Sequence, residues 1–155
     1  MSENNKSKQT TPPIELTNNT QLEDIRLLLL DHTPTNYPIV SDDFYFSDTE
    51  LMDAIRRANE AFNALPPSTV RVGLYGIPDP YILKIGAAWQ ACLSKALYFQ
   101  RQKITYSAGS TQVSMYADAA EAMRIAAEQF RTEFKELALT LKRQFNIRRA
   151  HGRIG

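Results

Sequence analysis

Hydrophobic residues in the last third of the chain recur at alternating intervals of three and four positions. This spacing places one apolar stripe along a single face of a helix. We therefore predict a long amphipathic C-terminal helix that packs against the rest of the protein. Its stripe comprises Tyr116, Ala120, Met123, Ala127, Phe130, Phe134, Leu137 and Leu141.

Two earlier segments combine a helix-start signal with apolar residues at helical spacing. Thr20–Glu23 and Ser47–Glu50 both match a capping box, in which a hydroxyl and a carboxylate satisfy free backbone N–H groups. The first box is expected to open a helix that continues to Leu30. The second is expected to open a helix that continues to Leu65 and ends before Pro66-Pro67.

The third predicted helix is the most apolar one. Asp79-Pro80 matches an N-cap followed by proline at the first helical position, and the helix is expected from Tyr81 to Arg101. Gly86 lies inside it and is expected to let another helix approach closely. A broad apolar face predicts a central position in the fold; it comprises Ile82, Ile85, Trp89, Cys92, Leu93, Ala96 and Phe99.

The remaining segments predict a small hairpin and two arms. Between Ile104 and Met115 the apolar period changes to two on either side of Ser107–Ser110, which predicts a β-hairpin. Residues 1–19 are polar and proline-containing, which is typical of a flexible arm. The predicted fold is therefore mainly α: a four-helix bundle over residues 20–146 with a small β-hairpin, a long C-terminal helix and flexible arms at residues 1–19 and 147–155.

Composition and charge narrow the class of protein. A chain of 155 residues suits one domain with a core large enough to need no metal or disulfide. The net charge of +1 excludes a globally basic nucleic-acid coat. The charge is uneven, however, because the segment from Asp42 to Asp53 is acidic and no acidic residue follows Glu136. Such opposite charges suit head-to-tail contact between copies, although they also occur on monomers.

No group of residues matches a catalytic or metal site. Cys92 is the only cysteine and is expected to be a small core residue. His32 and His151 lack nucleophile or metal-ligand spacing, and the adjacent Asp42 and Asp43 are expected to be solvated. We expect no enzymatic activity, no cofactor and no metal. No secretory signal or membrane-spanning stretch is evident, so we expect a soluble protein made in the cytoplasm, without a membrane partner.

The basic C-terminal end has three open interpretations. Its cations could contact nucleic-acid phosphates, lie along a partner protein, or remain solvated at the end of a helix. Interspersed isoleucines slightly favour the partner protein, since phosphate binding needs no hydrophobic anchor. Lys142 and Arg143 begin this basic stretch. The candidate partner-binding residues are Ile147, Arg148, Arg149, His151, Arg153 and Ile154.

Aromatic and acidic residues before the second helix form another candidate surface. At least one ring of Phe44, Tyr45 and Phe46 is expected to pack in the core, with Phe46 at the position of a hydrophobic staple. The other rings are candidates for an interface, and Tyr106 has the same ambiguity. The subunit-interface candidates are Phe44, Tyr45, Tyr106, Asp42 and Asp43.

The order of these segments resembles the head–tail connector (adaptor) proteins of tailed bacteriophages. The resemblance begins with Leu22–Asp31 and continues with an aromatic residue and Ser-Asp-x-Glu-Leu at Phe46–Leu51. An alanine-rich central helix at Gly86–Ala91, a turn at Tyr106–Ser114 and a long final helix complete it. It covers roughly residues 22–146, and the order of the segments is more specific than any one of them.

The resemblance implies a structural role in the virion. Such adaptors form a ring beneath the portal protein, commonly of twelve copies, which extends the DNA channel and offers a platform to tail or neck proteins. A C-terminal segment often reaches onto the portal, and the matching positions here are residues 147–155. The expected location is the virion neck, and the host cytoplasm before assembly. DNA would pass through the ring without sequence-specific contact.

A DNA-binding ring protein of the packaging machinery, such as a terminase small subunit, is the alternative. That class would need a helix-turn-helix near the N-terminus with a basic second helix. On the second predicted helix Arg56 and Arg57 are the only basic residues, and acidic Asp48, Glu50 and Asp53 precede them. The sequence therefore favours the connector.

Overall fold

The computed structural model describes four helices packed around one core. The described residues are 14–30, 45–69, 71–74, 76–105 and 112–151, with side chains described over 21–30, 45–69, 71–74, 76–101 and 117–150. The helices are α1 (Ile14–Leu28), α2 (Asp48–Ala64), α3 (Pro80–Thr105) and α4 (Gln112–His151). The prediction of a mainly α fold is confirmed.

The predicted β-hairpin is not supported. Ile104 lies in the last turn of α3, and Val113 and Met115 lie in the first turn of α4. The period-two pattern was too short to identify strands, because it has only two apolar residues on each side of the predicted turn. Val113, Tyr116 and Ala120 instead continue the helical spacing of the α4 stripe. Tyr106 and the predicted turn Ser107–Ser110 lie outside the described residues.

Helix α1 begins at Ile14, six residues before the predicted start at Thr20. The Thr20–Glu23 box therefore lies inside the helix and does not cap it. Pro12-Pro13 directly precede Ile14, and proline is favoured where a helix begins, so this pair was the better start signal. Residues 14–19, which were predicted to be the end of the N-terminal arm, therefore belong to α1.

The start of α2 follows the prediction. The Ser47 Oγ accepts a hydrogen bond from the Glu50 backbone N–H at 3.2 Å, and a Glu50 carboxylate oxygen accepts one from the Ser47 N–H at 2.8 Å. Phe46 and Leu51, at the two positions of a hydrophobic staple, are both buried. The helix ends at Ala64, directly before Leu65 and the proline pair.

A buried arginine joins the end of α1 to the start of α2. The Arg26 guanidinium donates to the Phe46 carbonyl at 2.7 Å and to an Asp48 carboxylate oxygen at 2.6 Å. The Arg26 side chain is only 8% exposed, so this pair is partly shielded from water. The contact fixes α1 against the first turn of α2 even though the connecting segment lies outside the described residues.

Helix α3 is central, as predicted, because it packs against α1, α2 and α4. Asp79 caps it: the Tyr81 backbone N–H donates to the Asp79 carboxylate at 3.0 Å, with Pro80 at the first helical position. Trp89 of α3 lies against Phe134 of α4, with ring centroids 5.6 Å apart. These contacts run along much of the long α4 stripe, in which Ala120, Ala127 and Phe134 are buried.

At Gly86 both α2 and α4 pack closely against α3. A Cβ at this position would lie 2.8 Å from the Phe134 ring and 2.9 Å from the Ala58 Cβ. Phe134 and Ala58 are both buried, and Ala58 Cβ cannot move without its backbone. The sequence-based prediction of a packing role for this glycine is confirmed.

We predict that Gly86→Ala destabilises the fold. The change gains helix propensity worth about 1 kcal/mol, but overpacking at a closed crossing costs roughly 1–3 kcal/mol and requires α2 or α4 to shift. We expect a net decrease in the free energy of unfolding, measured by urea denaturation. Gly73→Ala is the matched control, because nothing lies within 4 Å of a Cβ there. Equal effects of the two changes would contradict the assignment.

Candidate functional site

The C-terminal part of α4 combines the predicted basic residues with a groove. Helix α4 continues without a break to His151, so the backbone conformation does not change at the predicted boundary before Ile147. Ile147 is 56% exposed, and Arg148 and Arg149 are exposed beside it. These three residues therefore lie on an exposed helical surface. Arg153 and Ile154 lie outside the described residues, as does the His151 side chain.

Lys142 does not belong to this exposed surface. Lys142 is the first cation of the basic stretch in the sequence, but its side chain is fully buried in the structure. Its Nζ donates to the backbone carbonyls of Asn63 and Leu65 and lies 5.0 Å from the centroid of the Phe62 ring. Helix α2 has no basic residue in its own last turn, so Lys142 supplies the cation that helix C-termini favour. Burial lowers the pKa of the Lys142 ammonium.

The lowered pKa of Lys142 predicts how stability depends on pH. Native Lys142 releases its proton at a lower pH than the unfolded chain, whose value is near 10.5. Between the two pKa values the unfolded state binds more protons, so this residue makes the free energy of unfolding rise with pH. The wild-type protein should gain stability relative to Lys142→Met as the pH rises toward 10.5. Urea denaturation across this range measures the difference, and parallel pH profiles would contradict the buried ammonium.

A groove lies between the end of α4 and the loop that follows α2. Its volume is about 390 Å³, within the size range of small-ligand sites. The loop wall is fixed to α2, because the Asn63 side chain accepts from the Val72 N–H at 2.9 Å and donates to the Val72 carbonyl at 3.0 Å. The described lining residues are Thr69, Val72, Phe145, Asn146, Arg148 and Arg149. We call this the C-terminal groove.

The arginines of the C-terminal groove differ from Arg124 and Arg131 earlier in α4. Arg124 pairs with Glu121 at 2.6 Å and Arg131 pairs with Glu128 at 3.1 Å, each within one helical turn. Among the described residues, no carboxylate forms an ion pair with Arg148 or Arg149. No acidic residue follows Glu136 in the sequence, which explains why Arg148 and Arg149 have no carboxylate within one turn of α4. The groove therefore combines an apolar wall with two cations that are available to an anionic partner.

The acidic residues at the start of α2 are mostly paired within the chain. Asp48 binds Arg26, and the carboxylates of Glu50 and Asp53 lie 3.0 Å from Lys95 and 2.6 Å from Arg57. Burial raises the pKa of Glu50, but hydrogen bonds from Ser47 and Lys95 outweigh it, so the net pKa is lowered. The described acidic residues of this segment are thus paired with cations of the same chain. Asp42, Asp43 and Phe44 lie outside the described residues.

Tyr45 belongs to a second exposed surface, which we call the aromatic cluster: Tyr45, Lys95 and Tyr98. Tyr45 is 44% exposed and Tyr98 53% exposed, with the Lys95 Nζ 5.3 Å and 5.8 Å from their ring centroids. Phe46 is buried, which confirms that part of the aromatic run is core. Tyr98 and Lys95 were not predicted from the sequence, because neither lies on the apolar stripe of α3. Leu93 was predicted on the packed face, yet it is exposed.

The described residues offer no candidate metal site and no candidate membrane-spanning helix. They include no group of three or more side chains that could hold a metal ion, and none of their helices is long and apolar enough to cross a membrane. His32 lies outside the described residues. Cys92 is buried in α3, and burial raises the pKa of its thiol to about 11. This agrees with the predicted core position of Cys92.

We predict that Cys92 reacts slowly with a thiol reagent in the native protein. Both burial and the raised pKa suppress the thiolate, which is the reactive form. Modification by a disulfide reagent should be at least about 100-fold slower in the native state than in urea. An exposed reference thiol from Ile125→Cys, in a Cys92→Ala background, should react rapidly in the folded protein. Equal rates for the two thiols would contradict the buried position.

Comparison with known proteins adds no assignment. No family model matches the chain, and no curated protein or solved structure is significantly similar to it.

Proposed function

We propose that the protein is a structural head–tail connector of a tailed bacteriophage. In this role it forms a ring beneath the portal, extends the DNA channel and provides a platform for tail or neck proteins. The segment order that resembles the adaptors is one support. The role needs no cofactor and no catalysis, and it implies a location in the virion neck after assembly in the host cytoplasm.

The observation that carries the proposal is the surface at the end of α4. An exposed isoleucine and two arginines without a described acidic partner lie on a rigid helix beside an apolar groove. Apolar anchors with charged neighbours are typical of protein interfaces, in which arginine is enriched. A solvated helix end would need neither the groove nor the exposed Ile147. We infer that this end contacts the portal.

A ring also requires two different contact surfaces on each subunit, since its interfaces are heterologous. The C-terminal groove lies beside the end of α2, where Lys142 binds the Leu65 carbonyl. The aromatic cluster lies at the other end of α2, where Lys95 binds Glu50. The chain therefore offers chemically distinct surfaces at opposite ends of one helix, as the heterologous contacts of a ring require.

The packaging alternative receives less support. A DNA-reading second helix would present cations, but α2 opens with Asp48 and Glu50, and its Arg57 is paired with Asp53. The exposed arginines of α4 lie beside apolar groove residues, which phosphate binding does not require.

The test is to mix the purified protein with portal particles and count added rings by negative-stain electron microscopy. Wild-type protein should add a ring, whereas Arg149→Glu should reduce ring occupancy at least about tenfold, because it reverses a charge at the end of α4, on which assembly of the ring depends. Arg56→Glu makes the same charge change at an exposed site on α2 and should leave occupancy unchanged. Absence of wild-type rings at every salt concentration would contradict the connector. A gel shift with duplex DNA that Arg148→Ala/Arg149→Ala weakens would favour the packaging alternative.

A further inference from the structure

The C-terminal groove presents a definite chemical requirement for its occupant. Two arginines lie at the groove, and Val72 and Phe145 provide apolar lining. A matching ligand carries carboxylates next to large apolar side chains, since guanidinium groups bind carboxylates with paired hydrogen bonds. The volume of about 390 Å³ admits several side chains. An acidic protein segment with apolar anchors fits this description.

One segment of this chain has that composition. Val40-Ser41-Asp42-Asp43-Phe44 carries two adjacent carboxylates between a valine and a phenylalanine. The neighbouring acidic residues Asp48, Glu50 and Asp53 are already paired with Arg26, Lys95 and Arg57. By charge and apolar content, residues 40–44 therefore complement the groove better than the start of α2 does.

Chain length places this segment closer to the start of α2 than to the groove of the same copy. Tyr45 lies at the start of α2, whereas Asn63 binds the loop wall of the groove near the end of α2. Fifteen helical residues from Asp48 to Asn63 span roughly 22 Å. Asp42 is three residues from Tyr45, and three residues extend at most about 11 Å. We therefore assign a contact between Asp42 or Asp43 and the groove to two copies.

We propose that residues 40–44 of one copy bind in the C-terminal groove of the next copy, with Asp42 and Asp43 on Arg148 and Arg149. The two surfaces lie at opposite ends of α2, so the contact is heterologous and repeats from subunit to subunit. This inference rests on the ring proposed above and identifies one of its subunit contacts. It assigns the groove, with Arg148 and Arg149, to a second copy and leaves the exposed Ile147 as the portal contact at this end of α4.

The test measures binding of a fluorescent peptide of residues 37–46 to the full-length protein by anisotropy. The receptor is tested as wild type and as Asp42→Lys/Asp43→Lys, whose own segment cannot fill a neighbour's groove. We expect saturable binding to the second receptor that weakens with salt. Adding Arg148→Glu/Arg149→Glu to that receptor should weaken binding at least about tenfold.

Charge reversal on both sides provides the specific control. A peptide with Asp42→Lys and Asp43→Lys should bind Arg148→Glu/Arg149→Glu protein and not the wild type. No saturable binding of the natural peptide to the Asp42→Lys/Asp43→Lys receptor would overturn the inference. Binding that Arg148→Glu/Arg149→Glu leaves unchanged would overturn it too, as would a groove that takes duplex DNA but not the peptide.

The outcomes separate this inference from the proposed function. If wild-type rings form on portal particles but the peptide does not bind, the connector stands and this subunit contact is wrong. If the peptide binds with the expected charge dependence but no ring forms on portals, the contact between copies stands and the connector role is wrong.

Discussion

The close crossing at Gly86 sets the geometry of the whole bundle. Because residue 86 has no side chain, Ala58 of α2 and Phe134 of α4 both pack directly against the α3 backbone. This brings the C-terminal ends of α2 and α4 together, so that Lys142 reaches the α2 carbonyls. The loop after α2 is fixed by Asn63 beside the last turns of α4. The groove thus lies where the loop after α2 meets the last turns of α4.

The cations discussed above fall into two groups, those that bind acceptors within the fold and those that form no ion pair between described residues. Arg26, Lys84 and Lys95 bind Asp48, Asp24 and Glu50, and these ion pairs connect α1, α2 and α3. Lys142 satisfies a helix end inside the fold. Arg148 and Arg149 take part in none of the ion pairs between described residues, and they lie where the groove opens. These two arginines are therefore available for contacts between molecules.

Local signals in the sequence predicted much of the fold and part of the site. The Ser47 capping box, the Asp79-Pro80 start and the apolar stripe of α4 depend on neighbouring residues, and the structure confirms them. The role of Lys142 was not predictable, since its partners lie 77 and 79 positions away in sequence. The hairpin prediction failed because a four-residue alternation carries little information. The groove was missed because its walls come from two distant segments.

Cryo-electron microscopy of the virion neck tests the central claim most directly. Our account predicts a ring of this chain between portal and tail, with the C-terminal end of α4 against the portal. A neck map that contains no copy of the chain, or a ring in which the C-terminal end of α4 faces solvent, would contradict it.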